Sequence, residues 1–472
     1  MRERESGAPN AAGVVVMSLE YASELIERFM RYAAISTQSD PANREVPSSP
    51  GQWELARLLE QELKELGLEQ VVVDEHCIVT AKLPSNLPAD GPLAPRIGFV
   101  AHLDTVDVGL SPDVRPRLLT FTGEDICLNP DLDIWLRVAE HPELNDYRGQ
   151  QILCGDGTSV LGADNKSAVA VIMTMLRVLQ DTKPPHGEIM VAFVPDEEVG
   201  LWGSKLLDLT VFNVDFAYTI DSCGLGEVVC ETFNAGTGRI DITGVTAHPM
   251  SAKGVLVNPL LVATDIMACF DRAQTPENTE GKEGYVWFTG MEANAVQATL
   301  RFNIRDFDKQ NYEARKRYVA AVLELIRLRH PRAKIVWEFE EQYGNIMDSL
   351  GDDSYPVDLL YAALAALNIP ARTIAMRGGT DGSALSARGV VTPNYFTGGH
   401  NFHSNAEFLP VPSFHKSLEV ALKLVELASD GRGQRIDDAD SSSRAGSVAR
   451  CAEKGRCRGP PHIAPANGTP RG

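Results

Sequence analysis

In residues 19–34, LEYASELIERFMRYAA, the apolar positions Leu25, Phe29 and Tyr32 share one helical face. Residues 52–66 are amphipathic in the same way, and Gly67 ends them. Next come short apolar runs: VVV at 71–73, RIGFVAH at 96–102, EIMVAFV at 188–194 and FAYTI at 216–220. These read as strands, and the long apolar stretch 165–180 between them reads as a helix. Apolar strands alternating with helices predict an α/β fold: a mostly parallel central sheet with helices on both faces.

The middle of the chain has another rhythm. IDITGVT (240–246), a helix near 258–272, YVWFT (285–289), ATLRFNI (298–304), a helix near 310–329 and KIVWEF (334–339) follow in order. Strand, helix, strand, strand, helix, strand is the split βαβ, ferredoxin-like arrangement. From about 354 to 428 the α/β rhythm returns. An α+β unit of residues 233–345 is therefore predicted as an insertion into a larger unit made of 24–232 and 346–428. Residues 1–23 read as a disordered extension: the leader carries two glutamates beside its arginines, no clear cleavage site follows, and Met17 is an alternative start. Residues 429–472 lack apolar periodicity and read as a disordered tail.

Composition narrows the function more than the fold. A chain of 472 residues favours two domains, and 44% hydrophobic residues suffice for large cores. The formal net charge is −20; residues 430–472 hold 8 Lys/Arg and 5 Asp/Glu, a net +3, which leaves −23 on the rest. That argues against a nucleic-acid surface, which needs a basic patch. Eight cysteines without a C-x-x-C pair read as reduced thiols of a cytoplasmic protein, and Cys451 and Cys457 match no zinc spacing. No apolar run is long enough to span a membrane.

The candidate chemistry stands where strands stop. RIGFVAH ends at His102 with Asp104 two residues on, VAFV runs into Asp196, Glu197 and Glu198, FAYTI runs into Asp221, and LGADNKSA puts Asp164 just before a helix. In open α/β sheets ligands bind beyond the carboxyl ends of strands. Taken singly, each acid reads as a helix cap or a solvated turn. Taken together, crowded carboxylates stay ionised only with a cation, and imidazole plus carboxylate suits zinc, with cobalt or manganese as alternatives. Asp104 faces the same side as His102, so it reads as a partner of the imidazole rather than a ligand.

Many ordered stretches resemble the peptidase T family of tripeptide aminopeptidases, within the dinuclear-zinc peptidase clan that also holds carboxypeptidase G and acetylornithine deacetylase. They run from about residue 24 to 428 and include ISTQSD, PSSPGQWELA, AHLDT, VLGADNKSA, VAFVPDEEVG, AYTIDSCG, AHPMSAKGVLVN, IRDFDKQNYEARKR, RGGTDGSALS and NYFTGGHNFHSNAEF. The resemblance implies two zinc ions. His102, Asp164 and Asp221 would hold one; Asp164, Glu198 and His403 would hold the other. Glu197 would be the general base toward a water bridging the metals, with Asp104 supporting His102. His403, four residues before Glu407, fits the family's ligand histidine better than His400. His248 would donate to the oxyanion, and Arg305 and Arg377 would grip the carboxylate of a small peptide substrate. The resemblance makes 24–232 and 346–428 a catalytic unit and 233–345 its lid, and a homodimer through the lid is compatible with it.

This sequence departs from the family pattern at Asn165, where an aspartate is usual, at Ser167 and Ala168, and at Ser222–Gly224, where glycines are usual. The lost charge at Asn165 bears on metal affinity and pH optimum. A related dinuclear hydrolase of dipeptides or N-acyl amino acids is the alternative reading; it shares every ligand and differs in the residues that read the substrate's ends, where IRDFD and RGGTDG favour the tripeptidase. A non-catalytic, metal-stabilised binding protein is the third, disfavoured by the presence of Glu197.

Overall fold

The structure, a computed structural model, describes residues 19–88, 94–351 and 353–429. Residues 430–472 of the expected tail and 1–18 of the expected extension lie outside these, while Ser429 still belongs to the helix Val411–Ser429. Residues 19–23, expected to be disordered, are instead the first turn of the Leu19–Ala33 helix, whose Leu25, Phe29 and Tyr32 are buried.

The main sheet has eight strands in the order Glu69–Val73, Val79–Leu83, Ile189–Val194, Ile97–His102, Phe216–Ser222, Asn394–Phe396, Glu227–Thr232, Arg372–Met376. The four from Ile189–Val194 to Asn394–Phe396 are mutually parallel. Every residue of Ile97–His102 and Ile189–Val194 is buried, as two covered faces require. One face packs on the helices Leu19–Ala33, Ala163–Thr182 and Val411–Ser429 through Phe29, Met173, Phe414 and Leu418. Val100, Ala192, Ala217 and Leu385 pack together on the other.

The parallel expectation holds at the centre and gives way on both flanks. Val79–Leu83 follows Glu69–Val73 after a short turn in which Asp74 Oδ1 accepts from the amides of His76 and Ile78 at 2.9 and 2.8 Å. Glu227–Thr232 likewise follows Phe216–Ser222 across the turn at Gly226, which has φ +83°. Connections this short reverse the chain, whereas a parallel return needs a crossover of a dozen residues or more.

The inserted unit is a four-stranded antiparallel sheet, ordered Tyr285–Ala293, Gln297–Asp306, Asn234–Thr243, Lys334–Tyr343. The helices Pro259–Met267 and Lys309–Arg329 complete it in the expected element order, and Ile240, Leu300, Phe302, Leu323 and Ile326 form a core of its own. A small sheet that the sequence did not reveal joins Arg117–Thr120, Gln151–Cys154 and Phe408–Pro410. It fixes the chain just beyond His403.

The acid-bearing loop after Ile189–Val194 folds back on itself. The amides of Trp202 and Gly203 donate to the carbonyls of Asp196 and Pro195 at 3.1 and 2.9 Å. A Cβ on Gly203 would stand 2.5 Å from the Pro195 oxygen. Gly203→Ala should therefore cost about 1–3 kcal/mol in chemical denaturation, and weaken cation binding by displacing the loop. Wild-type stability and cation affinity in this variant would show that the close approach is not needed.

Candidate metal centre

His102 ends the Ile97–His102 strand, and Asp164 stands at the amino end of the Ala163–Thr182 helix. His102 Nε2 lies 2.9 Å from Asp164 Oδ1 and 3.8 Å from Asp221 Oδ1. His403, exposed on its loop, puts Nε2 3.1 Å from Asp164 Oδ2 and 3.0 Å from Glu198 Oε1. Asp164 thus divides its two oxygens between two imidazoles. One ligand atom each from His102, Asp164 and Glu198 falls within 4.8 Å of the others. All five expected ligands are brought together.

Other carboxylates hold this cluster in place through backbone donors. Asp104 is buried and accepts from the amides of Glu197 and Glu198 at 3.0 and 3.2 Å. Its expected role toward His102 is filled more closely by its backbone carbonyl, 3.0 Å from Nδ1, than by its carboxylate at 3.4 Å. Asp196 accepts from Ser48 N, Ser48 Oγ and Gln52 Nε2 at 2.7, 2.6 and 2.7 Å, tying the acid loop to the 48–52 segment. Glu407 is buried and takes the amides of Leu161, Gly162, Ala163 and Asp164 at 2.6 to 3.2 Å. Asn165 Nδ2 donates to Ile220 O at 2.8 Å and Asp221 Oδ1 at 2.7 Å, so an amide here restrains the carboxylate that an aspartate would repel. Ser167 donates to Ala163 O, and Ser222 to Glu227, so both departures have local partners. His400 bonds to Tyr147 and stacks on Phe408, a packing role.

The electrostatics record the crowding. Burial and the charge of Asp164 push Glu198 up to about 7 and Asp221 up to about 6. Glu197 is pushed well above the usual range by burial, and by Asp221 and Glu198 against the pull of His102. Asp164 goes the other way: burial raises it, but hydrogen bonds from His102 and His403 outweigh that and hold it low. His403 is raised to about 11 by the carboxylates of Asp164 and Glu198 that face its Nε2.

These residues fit divalent cations. Glu198 Oε1 is buried and has no hydrogen-bond partner among the described residues, although it faces an imidazole nitrogen. Nitrogen and oxygen donors without sulfur suit zinc, cobalt or manganese.

The substrate-reading residues stand differently. His248 is exposed beside the Pro249–Ser251 turn, accepting from the Met250 amide at 3.2 Å, and is not part of the cluster. Arg305 lies over the Tyr343 ring, 5.7 Å from its centroid, and its guanidinium has no hydrogen-bond partner among the described residues. Arg377, expected in the clamp, is hydrogen-bonded to the lid in this structure. Its guanidinium donates to Gly281 O, Glu283 O and Thr279 Oγ1 at 3.0, 2.9 and 2.7 Å, so it anchors the lid's 279–283 loop.

Sequence reasoning passed over two acids. Glu407 served only to mark His403, and four backbone amides meeting one side chain leave no trace in a sequence. Asp381 lies inside RGGTDG, where attention went to the arginine; it is buried, and its charge bears on Glu197. Burial, despite the pull of His102, pushes Asp381 up to about 7.

Imidazoles and carboxylates thus converge on the carboxyl edge of an α/β sheet that carries an inserted α+β unit. A family model described as Peptidase family M20/M25/M40 matches residues 160–427, and the chain belongs to that family. It is similar to a peptidase T-like protein of Yersinia pestis, 55% identical over 404 residues that cover 86% of this chain and 97% of that one. Peptidase T of Geobacillus sp. (strain WCH70) is 39% identical over 407 residues, with 86% and 98% covered. Among solved structures, aminopeptidase PepT from Bacillus cereus ATCC 10987 superposes with a TM-score of 0.68 at 20% identity, covering 86% of this chain and 99% of that one. A dinuclear metal-binding peptidase of the same family from Bacillus subtilis gives 0.59 at 15% identity, with 88% and 99% covered. These structural likenesses carry the fold. Among the described residues no helix is long and apolar enough to cross a membrane.

The raised acids set a pH dependence with a definite sign. Without a cation the folded protein holds protons on Glu198 and Asp221 that the unfolded chain has released. Stability of the chelated protein should therefore fall as pH rises from about 4 to 7, and the raised His403 continues the trend above that. A cation displaces those protons, so added zinc should raise the melting temperature more at pH 7 than at pH 5. Equal shifts at both pH values, read by thermal denaturation, would show that these acids do not hold the ion.

Proposed function

We propose that the protein is a metallo-aminopeptidase that removes the N-terminal residue from tripeptides. The observation that carries this is the division of Asp164 between His102 and His403, with Glu198 and Asp221 alongside and a free acid, Glu197, next to them. The relatives named peptidase T support the substrate class.

Two divalent cations, held by His102, Asp164 and Asp221 and by Asp164, Glu198 and His403, would acidify an attacking water and polarise the scissile carbonyl. Glu197 takes the water's proton and returns it to the leaving amine. Its carboxylate has no hydrogen-bond partner among the described residues, and burial raises its proton affinity, which favours a group that accepts a proton. Arg305 grips the terminal carboxylate with two parallel hydrogen bonds, which its unpartnered guanidinium is free to make. His248 stands apart from the ligands, so its expected bond to the oxyanion requires the lid to move.

The test is a panel: cation-loaded protein with tripeptides, tripeptide amides, dipeptides and N-acetylated analogues, following release of amines. Tripeptides should be preferred. The relatives named peptidase T-like are 55–56% identical, against 39% for the Geobacillus peptidase T, so faster turnover of dipeptides or N-acyl amino acids would move the assignment to a related dinuclear hydrolase.

Glu197→Gln should retain both cations and lose roughly 10²–10⁴-fold in kcat, whereas Glu198→Gln should weaken one cation site in calorimetry. Near-normal turnover by Glu197→Gln would refute the base assignment. Arg305→Ala should raise KM for tripeptides and erase their advantage over tripeptide amides; an unchanged ratio would remove Arg305 from the clamp.

A further inference from the structure

The Lys334–Tyr343 strand leaves the lid at Tyr343. This side chain packs at the junction with the catalytic unit, among Phe233, Tyr285 and Phe307. Its ring lies so close over Gly379 that a Cβ there would come within 2.5 Å of Cζ. The second glycine of RGGTDG is thus the space into which the ring fits. The Arg305 guanidinium covers the ring from another side, 5.7 Å from its centroid.

The hydroxyl of this well-packed ring is buried and has no hydrogen-bond partner among the described residues. Buried phenols ordinarily find one, and an unpaired hydroxyl is destabilising. A phenylalanine would fill the same space without that penalty. The phenol is raised above its ordinary value by burial, which Arg305 opposes and Tyr285 and Glu197 reinforce. It therefore stays protonated, a donor lying in the fields of both Arg305 and Glu197.

These two neighbours bracket the substrate in the proposed reaction. Glu197 works at the scissile bond, and Arg305 holds the terminal carboxylate. In a tripeptide the one backbone acceptor between those points is the carbonyl of the second peptide bond. A dipeptide lacks that group. We propose that the Tyr343 hydroxyl donates a hydrogen bond to the carbonyl of the second peptide bond, so that Tyr343 is a specificity-determining residue for chain length. The proposal rests on the tripeptidase reading above. A site built around a donor discriminates strongly against an analogue that leaves the donor unpaired.

The experiment compares a tripeptide with its analogue in which an E-alkene replaces the second amide, using cation-loaded wild type and Tyr343→Phe. Wild type should favour the tripeptide in kcat/KM by roughly 10-fold or more. Tyr343→Phe should lose roughly 10-fold on the tripeptide, mainly through KM, and change little on the alkene, so that the preference collapses. Its melting temperature without peptide should equal or exceed that of wild type, because the ring is kept and an unpaired hydroxyl is gone. Tripeptide kinetics like wild type in Tyr343→Phe overturn the proposal. So does an equal loss on both substrates, which would place the hydroxyl at the scissile carbonyl, and so does a lowered melting temperature, which would make it structural. If wild type releases no amine from tripeptides, the function reading itself fails and this proposal with it; an active wild type with an indifferent Tyr343→Phe isolates the failure to Tyr343.

Discussion

Four carboxylates of like charge, Asp164, Glu197, Glu198 and Asp221, gather at one edge of the central sheet, and the surrounding architecture serves to keep them there. Their mutual repulsion is opposed by fixed donors. Asp104 receives the amides of Glu197 and Glu198, Asp196 is tied to Ser48 and Gln52, and Asn165 restrains Asp221. Glu407 goes further, since one side chain orients four successive amides of the turn that presents Asp164. Such preorganisation places the charges before any cation arrives, so cation binding is not opposed by rearrangement of the loops.

The rest of the fold follows from where those donors come from. Parallel strands end together on one edge, which brings His102, Glu198 and Asp221 into reach of one another. The Phe408–Pro410 strand pairs with Gln151–Cys154 and fixes the chain between His403 and the helix Val411–Ser429. Glu407 stands at its start, so one connection delivers both His403 and the group that steadies the turn presenting Asp164.

The junction with the lid works by packing rather than charge. Phe233, Tyr285, Phe307 and Tyr343 form an aromatic cluster where the inserted unit begins and ends. Arg377 closes over Phe233 and Tyr285 and bonds to the 279–283 loop. Arg305 pairs with Tyr285 on the adjoining strand and lays its guanidinium over Tyr343. The two arginines look interchangeable as sequence and differ in work as structure, because a guanidinium surrounded by backbone carbonyls is satisfied and one facing only an aromatic ring is not.

Much of this was legible in the sequence. The helix periodicity of 19–34, the apolar strands at 96–102 and 188–194, the inserted strand–helix order and the candidates His102, Asp164, Glu198 and Asp221 were readable, because burial imposes a period and metal-suited residues stand where strands stop and helices start, whereas His403 came only with the family resemblance. The flanking antiparallel strands, the three-stranded sheet, the four-amide grip of Glu407 and the satisfied state of Arg377 were not. Each depends on which groups meet across long stretches of chain or on how short a turn is, and neither leaves a periodic mark. Local pattern determined the elements and the residue types at their ends. Tertiary structure alone decided which donors face which acceptors, because a hydrogen bond is set by distance and angle in space, and the order of residues along a chain specifies neither.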